Sequence, residues 1–184
     1  MKSRTHFLTN RRTFLKLSAS AALATLVPHA ASAVGRSEHR TLSLYNIHTG
    51  ESLTTCYRVN GKLINRAVSR ISYIMRDHRT GDVKPVDPNL LDLLHHITKR
   101  IPPPSPISII SGYRSPQTNA ALRRVTRGVA KNSLHMKGRA IDIRIPGYQT
   151  QGIRKLAISL HSGGVGYYPE SDFVHLDTGP VKVW

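Results

Sequence analysis

Residues 133–145 read SLHMKGRAIDIRI, and their pattern is the most informative in the chain for both strand structure and chemistry. Within residues 140–145 isoleucine occupies every second position, which predicts a strand with one apolar face. Asp142 then points to the opposite face, away from the apolar core. Gly138 allows a tight turn just before the strand, so His135 in the preceding loop can fold back toward Asp142.

A second stretch, residues 172–179 with the sequence DFVHLDTG, predicts another strand, with His175 and Asp177 on one face. If the two strands are neighbours, Asp142 and His175 meet at one point, close to His135. Two imidazoles and one carboxylate can hold zinc and leave the fourth ligand position open for water, as catalytic zinc sites do. The sequence therefore predicts a candidate catalytic metal site.

The pattern on either side of these stretches contains further strands and amphipathic helices. An alternating hairpin is predicted over 41–48 and 52–59, with a turn at 49–51. Four helical patterns follow: at 63–75, from Asp87-Pro88 onward, at 115–125 and within 148–161. Further strands are predicted at 106–110, 140–145, 163–168, 173–177 and 181–184. Helices come early and antiparallel strands cluster late. This order predicts an α+β fold, an antiparallel sheet with helices on one face.

Three other residues that could carry chemistry are interpreted as structural. His95 and His96 are neighbours in the second helix, and adjacent helical side chains point about 100° apart, so they cannot easily share a metal. We expect both on the surface or lining a groove. Cys56 is the single cysteine, which excludes an internal disulfide, and nothing around it in the sequence would stabilise a thiolate. A cysteine nucleophile is therefore not expected.

The N-terminal segment indicates export. Residues 10–16, NRRTFLK, precede a mildly apolar run at 17–27 and the small-residue pattern Ala31-Ser32-Ala33. The paired arginines resemble a twin-arginine signal, so we expect the twin-arginine export machinery as a partner and a periplasmic location. Cleavage after Ala33 leaves residues 34–184 as a single domain. An uncleaved anchor is the alternative, but the run is shorter than the about 20 apolar residues that span a bilayer, so no stable membrane span is expected.

The charge balance suggests an anionic partner. The chain has 27 Lys and Arg against 10 Asp and Glu, and five of the basic residues lie in the predicted signal, so the mature chain carries a formal +12. A cationic exported protein concentrates near polyanions such as the carboxylate-rich peptides of a bacterial wall. Nucleic acid is not an expected partner, because the chain is exported and contains no aromatic-studded basic motif. The alternative is that the charge only aids solubility.

Three segments together resemble a known family: SGYRS at 111–115, SLHMKGRAID at 133–142 and DFVHLDTG at 172–179. They are similar to segments of the zinc D-Ala-D-Ala carboxypeptidases, dipeptidases and murein endopeptidases that share the Hedgehog/DD-peptidase fold. Together with the twin-arginine signal, SGYRSPQTN and FVHLDTGPV look like the murein endopeptidase K group. The resemblance covers roughly residues 41–184. It implies a single zinc peptidase domain after the signal.

The resemblance also implies roles for individual residues. It implies His135, Asp142 and His175 as the ligands of one zinc ion per chain. It implies a carboxylate three residues before the last ligand as general base, which here is Asp172. An ideal strand would place Asp172 on the face opposite His175, so the base must lie in a bend at the strand start. Asp177 is the competing base, or else a group that supports a ligand from behind.

Two further residues match family positions. Arg114 follows a predicted buried strand, where relatives place an arginine that stabilises the oxyanion and the substrate carboxylate, and a planar fork of donors suits both tasks. Ser133 matches a serine that contacts substrate. The implied function is hydrolysis of peptide crosslinks in peptidoglycan, by a water attack without a covalent intermediate. The alternatives are a D,D- or L,D-carboxypeptidase that trims stem peptides, a non-catalytic wall-binding protein, and a metal-free cationic envelope protein.

Overall fold

The computed structural model describes residues 37–101, 105–126 and 128–184, so the predicted signal peptide and its cleavage site lie outside the described residues. The strands are β1 (His39–Asn46), β2 (Ser52–Val59), β3 (Lys62–Leu63), β4 (Ile107–Ser111), β5 (Ala140–Arg144), β6 (Gly164–Tyr168), β7 (Phe173–Asp177) and β8 (Lys182–Val183). The α-helices are α1 (Asn65–Ile74), α2 (Pro88–Thr98), α3 (Pro116–Val125) and α4 (Thr150–Ser159). A 3-10 helix covers Leu134–Lys137.

The strands form a single mixed sheet in the order β3-β2-β1-β4-β5-β7-β6-β8. The predicted α+β class is confirmed. Most neighbours are antiparallel, as expected, but β1 pairs with β4 in parallel and β6 pairs with β8 in parallel. The first parallel pair arises because the chain crosses over through α1 and α2 before it returns to the sheet, which a crossover of this length permits.

One face of the sheet is covered by helices. Helices α1, α2 and α4 contribute side chains to the same apolar core as the strands, in which Ile141, Ile143, Val174 and Leu176 are fully buried. Helix α3 contributes no residue to this core, and its buried side chains are polar. Three helices therefore build the core, while α3 lies beside the candidate site that is described below.

The predicted helix starts follow the capping chemistry of the sequence. The Asp87 carboxylate accepts a hydrogen bond from the backbone of Asn89, with proline at the first position of α2. The Ser115 hydroxyl accepts one from the backbone of Thr118 at the start of α3. Such a cap contributes about 1 kcal/mol to stability. Both caps are local, which explains why the sequence predicts them correctly.

Two local predictions are wrong. The helical pattern over 63–75 begins later than predicted, because residues 62–63 pair with β2 as a two-residue strand. His95 is buried rather than on the surface or in a groove, and its Nδ1 lies 3.3 Å from the carbonyl of Thr41. Burial lowers the pKa of His95 below its ordinary value and so favours the neutral imidazole. Its neighbour His96 is exposed, as expected.

The strands that carry the candidate ligands are direct neighbours. Strands β5 and β7 pair antiparallel, with Asp142 directly opposite His175. Cross-strand partners have Cβ atoms about 4.5–5.5 Å apart, so this register brings the two side chains together on the face away from the core. Among the described residues, no helix is long and apolar enough to cross a membrane.

Candidate metal centre and active-site cleft

The three predicted ligands meet on the open face of the sheet. His135, Asp142 and His175 each offer one donor atom, and these atoms lie within 4.8 Å of one another. His175 Nδ1 lies 2.8 Å from Asp142 Oδ1, and His135 Nε2 lies 3.3 Å from that oxygen and 3.2 Å from His175 Nδ1. His135 is positioned by the 3-10 helix, which ends at Gly138 with a φ of 66°. The left-handed conformation at this glycine returns the chain directly into β5.

The outer partner of each imidazole determines which nitrogen faces the cluster. His135 Nδ1–H donates to the carbonyl of Gly112 at 2.7 Å, which leaves the Nε2 lone pair directed at the cluster. His175 Nε2–H donates to the Asp177 carboxylate at 3.1 Å, which leaves Nδ1 for the cluster. Two neutral nitrogen donors and one carboxylate oxygen at this separation fit a divalent metal with N and O ligands. The donor set therefore fits a metal centre.

The electrostatics of the cluster reflect this pairing. Burial alone would raise the pKa of Asp142, but its contacts with the His135 and His175 imidazoles hold that pKa below its ordinary value. Burial would lower the pKa of His175, yet the hydrogen bonds and charges of Asp142 and Asp177 raise it to about 9. Without a metal, the cluster therefore keeps a proton on His175 at neutral pH. A metal takes the place of that proton.

Asp177 contacts the outer nitrogen of His175, one of the three candidate ligands. Its Oδ1 accepts hydrogen bonds from the backbone of Gly164 at 2.9 Å and of Gly179 at 2.7 Å, while its Oδ2 faces His175. Burial would raise the pKa of Asp177, but the hydrogen bonds from His175 and these two amides hold it below its ordinary value. A carboxylate that is engaged at both oxygens orients the imidazole of His175 and has little freedom to take a proton from water.

Arg114 extends from the loop after β4 toward the cluster. Its Nη2 lies 3.6 Å from Asp142 Oδ2 and donates to the Ser111 hydroxyl at 3.3 Å, while Nη1 donates to Asn119 Oδ1 at 3.5 Å. The Nε–H is buried and has no partner among the described residues. Burial lowers the pKa of Arg114 from its usual value, but a guanidinium stays charged at neutral pH. Arg114 thus brings a fixed positive charge to the cleft.

Ser133 lies at the start of the segment that carries His135. It is buried, it borders the cleft, and its hydroxyl oxygen accepts a hydrogen bond from the backbone of His135 at 3.3 Å. The hydroxyl hydrogen is still available to donate to another group. Asn119, which the sequence analysis missed, is buried on α3, and its amide donates to the carbonyl of Ala130 at 3.1 Å. It links Arg114 to the loop that precedes Ser133.

Asp172 is the predicted site residue that the structure does not bring to the cluster. It lies in the bend at the start of β7, as expected, with a φ of 50°. Its side chain is 62% exposed and contacts Thr150, at 3.3 Å, and Arg144, at 3.8 Å. The carboxylate therefore faces the start of α4, where Thr150 lies, and is not part of the cluster of His135, Asp142 and His175. Its role as base stays a prediction.

The cluster lies in a cavity of about 780 Å³. Part of its wall is aromatic, which was not predicted from the sequence, and is formed by Tyr168, Phe173 and Trp184. The rings of Tyr168 and Phe173 stack with centroids 4.5 Å apart. The sequence signal that could have identified these aromatic residues is their position on the same strand faces as the candidate ligands. A smaller depression of about 410 Å³ lies between α1 and β2, and none of the predicted site residues line it.

Comparisons with known proteins identify relatives along nearly the whole chain. The family model Peptidase_M15_2, described as "Peptidoglycan L,D-endopeptidase MepK", matches residues 34–184. The chain is 42% identical over 179 residues to the "Peptidoglycan L,D-endopeptidase MepK" of Escherichia coli (strain K12), which covers 97% of this chain and 98% of that protein. The protein of the same name from Shigella flexneri matches with the same figures.

A protein from another bacterium gives a comparable match. The "Probable peptidoglycan L,D-endopeptidase MepK" of Haemophilus influenzae is 42% identical over 177 residues, covering 95% of each chain. No solved structure matches the chain. Because the family model covers the chain from residue 34 to its end, the match includes every candidate ligand. The chain therefore belongs to the M15 peptidases, a family of metallopeptidases, within the group described as peptidoglycan L,D-endopeptidase MepK.

Proposed function

We propose that this chain is a zinc endopeptidase that hydrolyses an L,D peptide bond in the crosslinks of peptidoglycan. The observation that carries the proposal is the convergence of His135, Asp142 and His175, with both imidazole lone pairs directed at one point. Membership of the M15 peptidases and the names of the relatives support the substrate class and the bond. The mature charge of +12 suits a polymer rich in carboxylates.

We infer zinc as the metal from the chemistry of the donors. Two imidazoles and one carboxylate are a ligand set typical of catalytic zinc, in which three protein ligands leave a position open. Zinc bound there supplies Lewis-acid activation of water and of the scissile carbonyl. The single negative charge of Asp142 neutralises only half of a divalent charge, so the site keeps the positive character that this chemistry needs.

The residues around the metal position have separate tasks in the proposed mechanism. Asp177 keeps a proton on His175 Nε2, so that Nδ1 stays the donor. The Nη atoms of Arg114 stabilise negative charge as it develops on the carbonyl oxygen, or bind a carboxylate of the substrate. Ser133 donates its hydroxyl hydrogen to the substrate backbone. The buried position of Arg114 strengthens its effect, because the cleft screens less than bulk water does.

Asp172 is the proposed general base. It takes the proton of the attacking water on its carboxylate and delivers it to the leaving amine. To do so, its side chain must leave Thr150 and Arg144 and turn toward His175. Its exposure and its position at the end of a hairpin turn make that rotation inexpensive. The proposal predicts that Asp172→Ala retains the metal and loses activity, whereas Asp177→Ala loses metal affinity.

The same measurements can reverse this assignment. If Asp177→Ala retains the metal and loses activity while Asp172→Ala remains active, Asp177 is the base. Metal content by inductively coupled plasma mass spectrometry and turnover on a purified crosslinked muropeptide separate the two outcomes. Glu170→Ala is a matched control, since it removes an exposed carboxylate from the same turn and should change neither quantity.

We also propose that the mature protein acts in the periplasm. The support is the sequence of residues 1–33, in which a twin-arginine pattern precedes an apolar run and a small-residue cleavage site. Export through the twin-arginine machinery would transport the domain already folded. A fusion of residues 1–36 to a reporter that folds in the cytoplasm tests this. Replacement of Arg11 and Arg12 by lysine should abolish export of that fusion.

Digestion of purified muropeptides by the zinc-loaded protein tests the function itself. Cleavage of crosslinked dimers into monomers, identified by mass spectrometry, is the expected result. The mass and stereochemistry of the new ends report which bond is cut. Release of terminal D-alanine alone would instead indicate a carboxypeptidase. Absence of any product from the metal-loaded protein would overturn the proposal and favour a wall-binding protein.

A further inference from the structure

The wall beside His175 is built by strands that follow one another in the sheet. In the order β7-β6-β8, Gly166 lies directly opposite His175, and β8 is the edge strand beyond it. Trp184 follows β8, and its ring centroid lies 5.3 Å from that of His175. The indole therefore crosses the width of β6 to reach a metal-ligand candidate two strands away. It can do so only where β6 carries no side chain.

Gly166 provides that opening. A Cβ built at this position would lie 2.8 Å from two atoms of the Trp184 indole, closer than real Cβ contacts come. The alternation of β6 puts Gly164 and Gly166 on the cleft face and Val165 in the core. Gly164 makes room in the same way for the Asp177 carboxylate, which a Cβ at that position would overlap. Glycine weakens a strand, so two in one short strand require a reason in the structure.

The indole is held in place and still accessible. Its Nε1–H donates to the Tyr168 hydroxyl at 3.0 Å, and the backbone of Trp184 pairs with Val165 and Tyr167. Trp184 is nevertheless 45% exposed, within the cavity that contains the ligand cluster. An indole anchored at its nitrogen presents an apolar surface to whatever enters the cleft. Indoles with one polar anchor are common in binding sites.

A positive charge lies beside this surface. The ammonium of Lys182 is 5.6 Å from the Trp184 ring centroid, and Lys182 lines the same cavity. Among the described residues it forms no salt bridge. Alternation along the β8 segment places Lys182 and Trp184 on the same face, while Val183 points the other way. The wall thus combines an aromatic surface with a cation that has no carboxylate partner in the described part of the chain.

We propose that Trp184 and Lys182 form a substrate subsite that binds an aliphatic peptide side chain ending in a carboxylate, next to the metal position. This inference rests on the proposed function and specifies how the acidic peptide is placed. The aliphatic chain packs on the indole face, and its carboxylate pairs with Lys182. Arg114, on the loop after β4, stays free for the scissile carbonyl or a second carboxylate. Gly166 is a positioning residue, because it acts only through Trp184.

The tryptophan itself provides a direct measurement, because Trp184 is the only tryptophan in the chain. The zinc-loaded protein is titrated with a stem peptide that has a carboxylate-terminated side chain, and with the same peptide amidated at that carboxylate. The free acid should shift the emission of Trp184 and bind up to about fivefold more tightly, because its carboxylate pairs with the exposed ammonium of Lys182. The amide should bind more weakly.

Three variants separate the subsite from a structural role. Lys182→Gln should remove the preference for the free acid while leaving binding of the amide unchanged. Trp184→Phe should raise KM for the crosslinked substrate more than it lowers kcat. Gly166→Ala should shift the emission of the free protein, because the indole must move, and should weaken both peptides. Gly152→Ala, in helix α4 with open space around its Cβ, is the matched control and should change none of these.

The outcomes distinguish this inference from the proposed function. If the wild-type protein cleaves crosslinked dimers but the free acid and the amide bind equally well, the subsite is wrong and the endopeptidase stands. If no muropeptide is cleaved yet the free acid shifts the emission and Lys182→Gln removes its advantage, the subsite stands and the proposed function fails. If Lys182→Gln weakens binding of the free acid and of the amide equally, the subsite is also wrong.

Discussion

Strands β5 and β7 have two faces that are both largely buried but are buried for different reasons. On the core face, Ile141 and Ile143 are fully buried among other apolar side chains. On the opposite face, Asp142 is 6% exposed, and its oxygens face His135, His175 and Arg114. Apolar burial requires only space of the right shape, whereas a buried carboxylate requires partners for its charge.

Neighbouring residues of one strand can therefore serve stability and chemistry separately. A change on the core face removes packing and leaves the donor atoms in place. A change on the cleft face removes a candidate ligand and leaves the apolar core intact. The comparison is therefore sharpest between Asp142 and Ile143, which are adjacent in sequence and point in opposite directions. The following predictions test how independent the two faces are.

The largest effect is expected from Asp142→Ala. Loss of the only carboxylate in the ligand set should abolish metal binding and reduce turnover on crosslinked muropeptides to background. The circular dichroism spectrum should be unchanged, because the core face of β5 is untouched. The metal content of the purified variant measures the loss of binding, and its activity measures the loss of turnover. A variant that retains metal and activity would contradict the assignment of this cluster as the metal centre.

Arg114→Lys should have the next largest effect. A lysine keeps the charge but loses the fork of donors that Ser111 and Asn119 hold in place. Loss of a preorganised donor to an oxyanion typically costs about 10²–10³-fold in kcat, so we expect a decrease of that order with normal metal content. Steady-state kinetics measure it. An unchanged kcat would place Arg114 outside the chemistry.

The metal-free protein should lose stability as the pH rises. The pKa of His175 is raised to about 9 from an ordinary value of 6.5, so its stabilising proton is fully present below pH 6.5 and is lost as the pH rises through 9. The loss is up to about 3 kcal/mol. The depressed pKa values of Asp142 and Asp177 act in the opposite direction, because their contribution is lost as the pH falls below about 4.

Urea unfolding of the chelator-treated protein between pH 6 and pH 9.5 checks this prediction. His175→Asn is the control and should show a flatter profile over that range. Metal affinity should increase over the same range, because protons compete with the metal for Nδ1. A metal-free protein whose stability stays constant or increases up to pH 9.5 would show that His175 is not held in the charged form.

The smallest effect is expected on the core face. Ile143→Val removes one methylene group from the fully buried side and should reduce the free energy of unfolding by about 0.5–1.5 kcal/mol. Metal content and kcat should stay at the wild-type level. If this variant loses activity in proportion to Asp142→Ala, the two faces are coupled through the backbone of β5. The core face and the cleft face of β5 would then not be independent.

The sequence predicted those parts of the fold that depend on local pattern. The alternation in 140–145 placed Asp142 opposite the apolar face, and the caps at Asp87 and Ser115 were read directly from residue type. It predicted His95 wrongly, because the helical pattern does not report which neighbour covers a polar side chain. The strand at residues 62–63 was missed because two residues carry no periodicity of their own.

The candidate site was also predicted only in part from the sequence. The sequence predicted the residues that meet as candidate ligands, and the bend at Asp172. It could not predict that the Asp172 side chain points to Thr150, because that depends on a left-handed backbone and on where α4 begins. It also missed Asn119 and Trp184, whose contacts link segments that are far apart in the chain.

The residue pattern is enough to establish which side chains share a strand face, where helices begin, and that two imidazoles and a carboxylate are available to one site. The packing of the folded chain is needed to bring Asp142 opposite His175, to direct Nδ1 of His175 at the cluster, and to leave room beside Gly166 for the indole of Trp184. The two kinds of information differ in range. Periodicity and capping act over a few residues, whereas strand order and register are set by packing between distant segments.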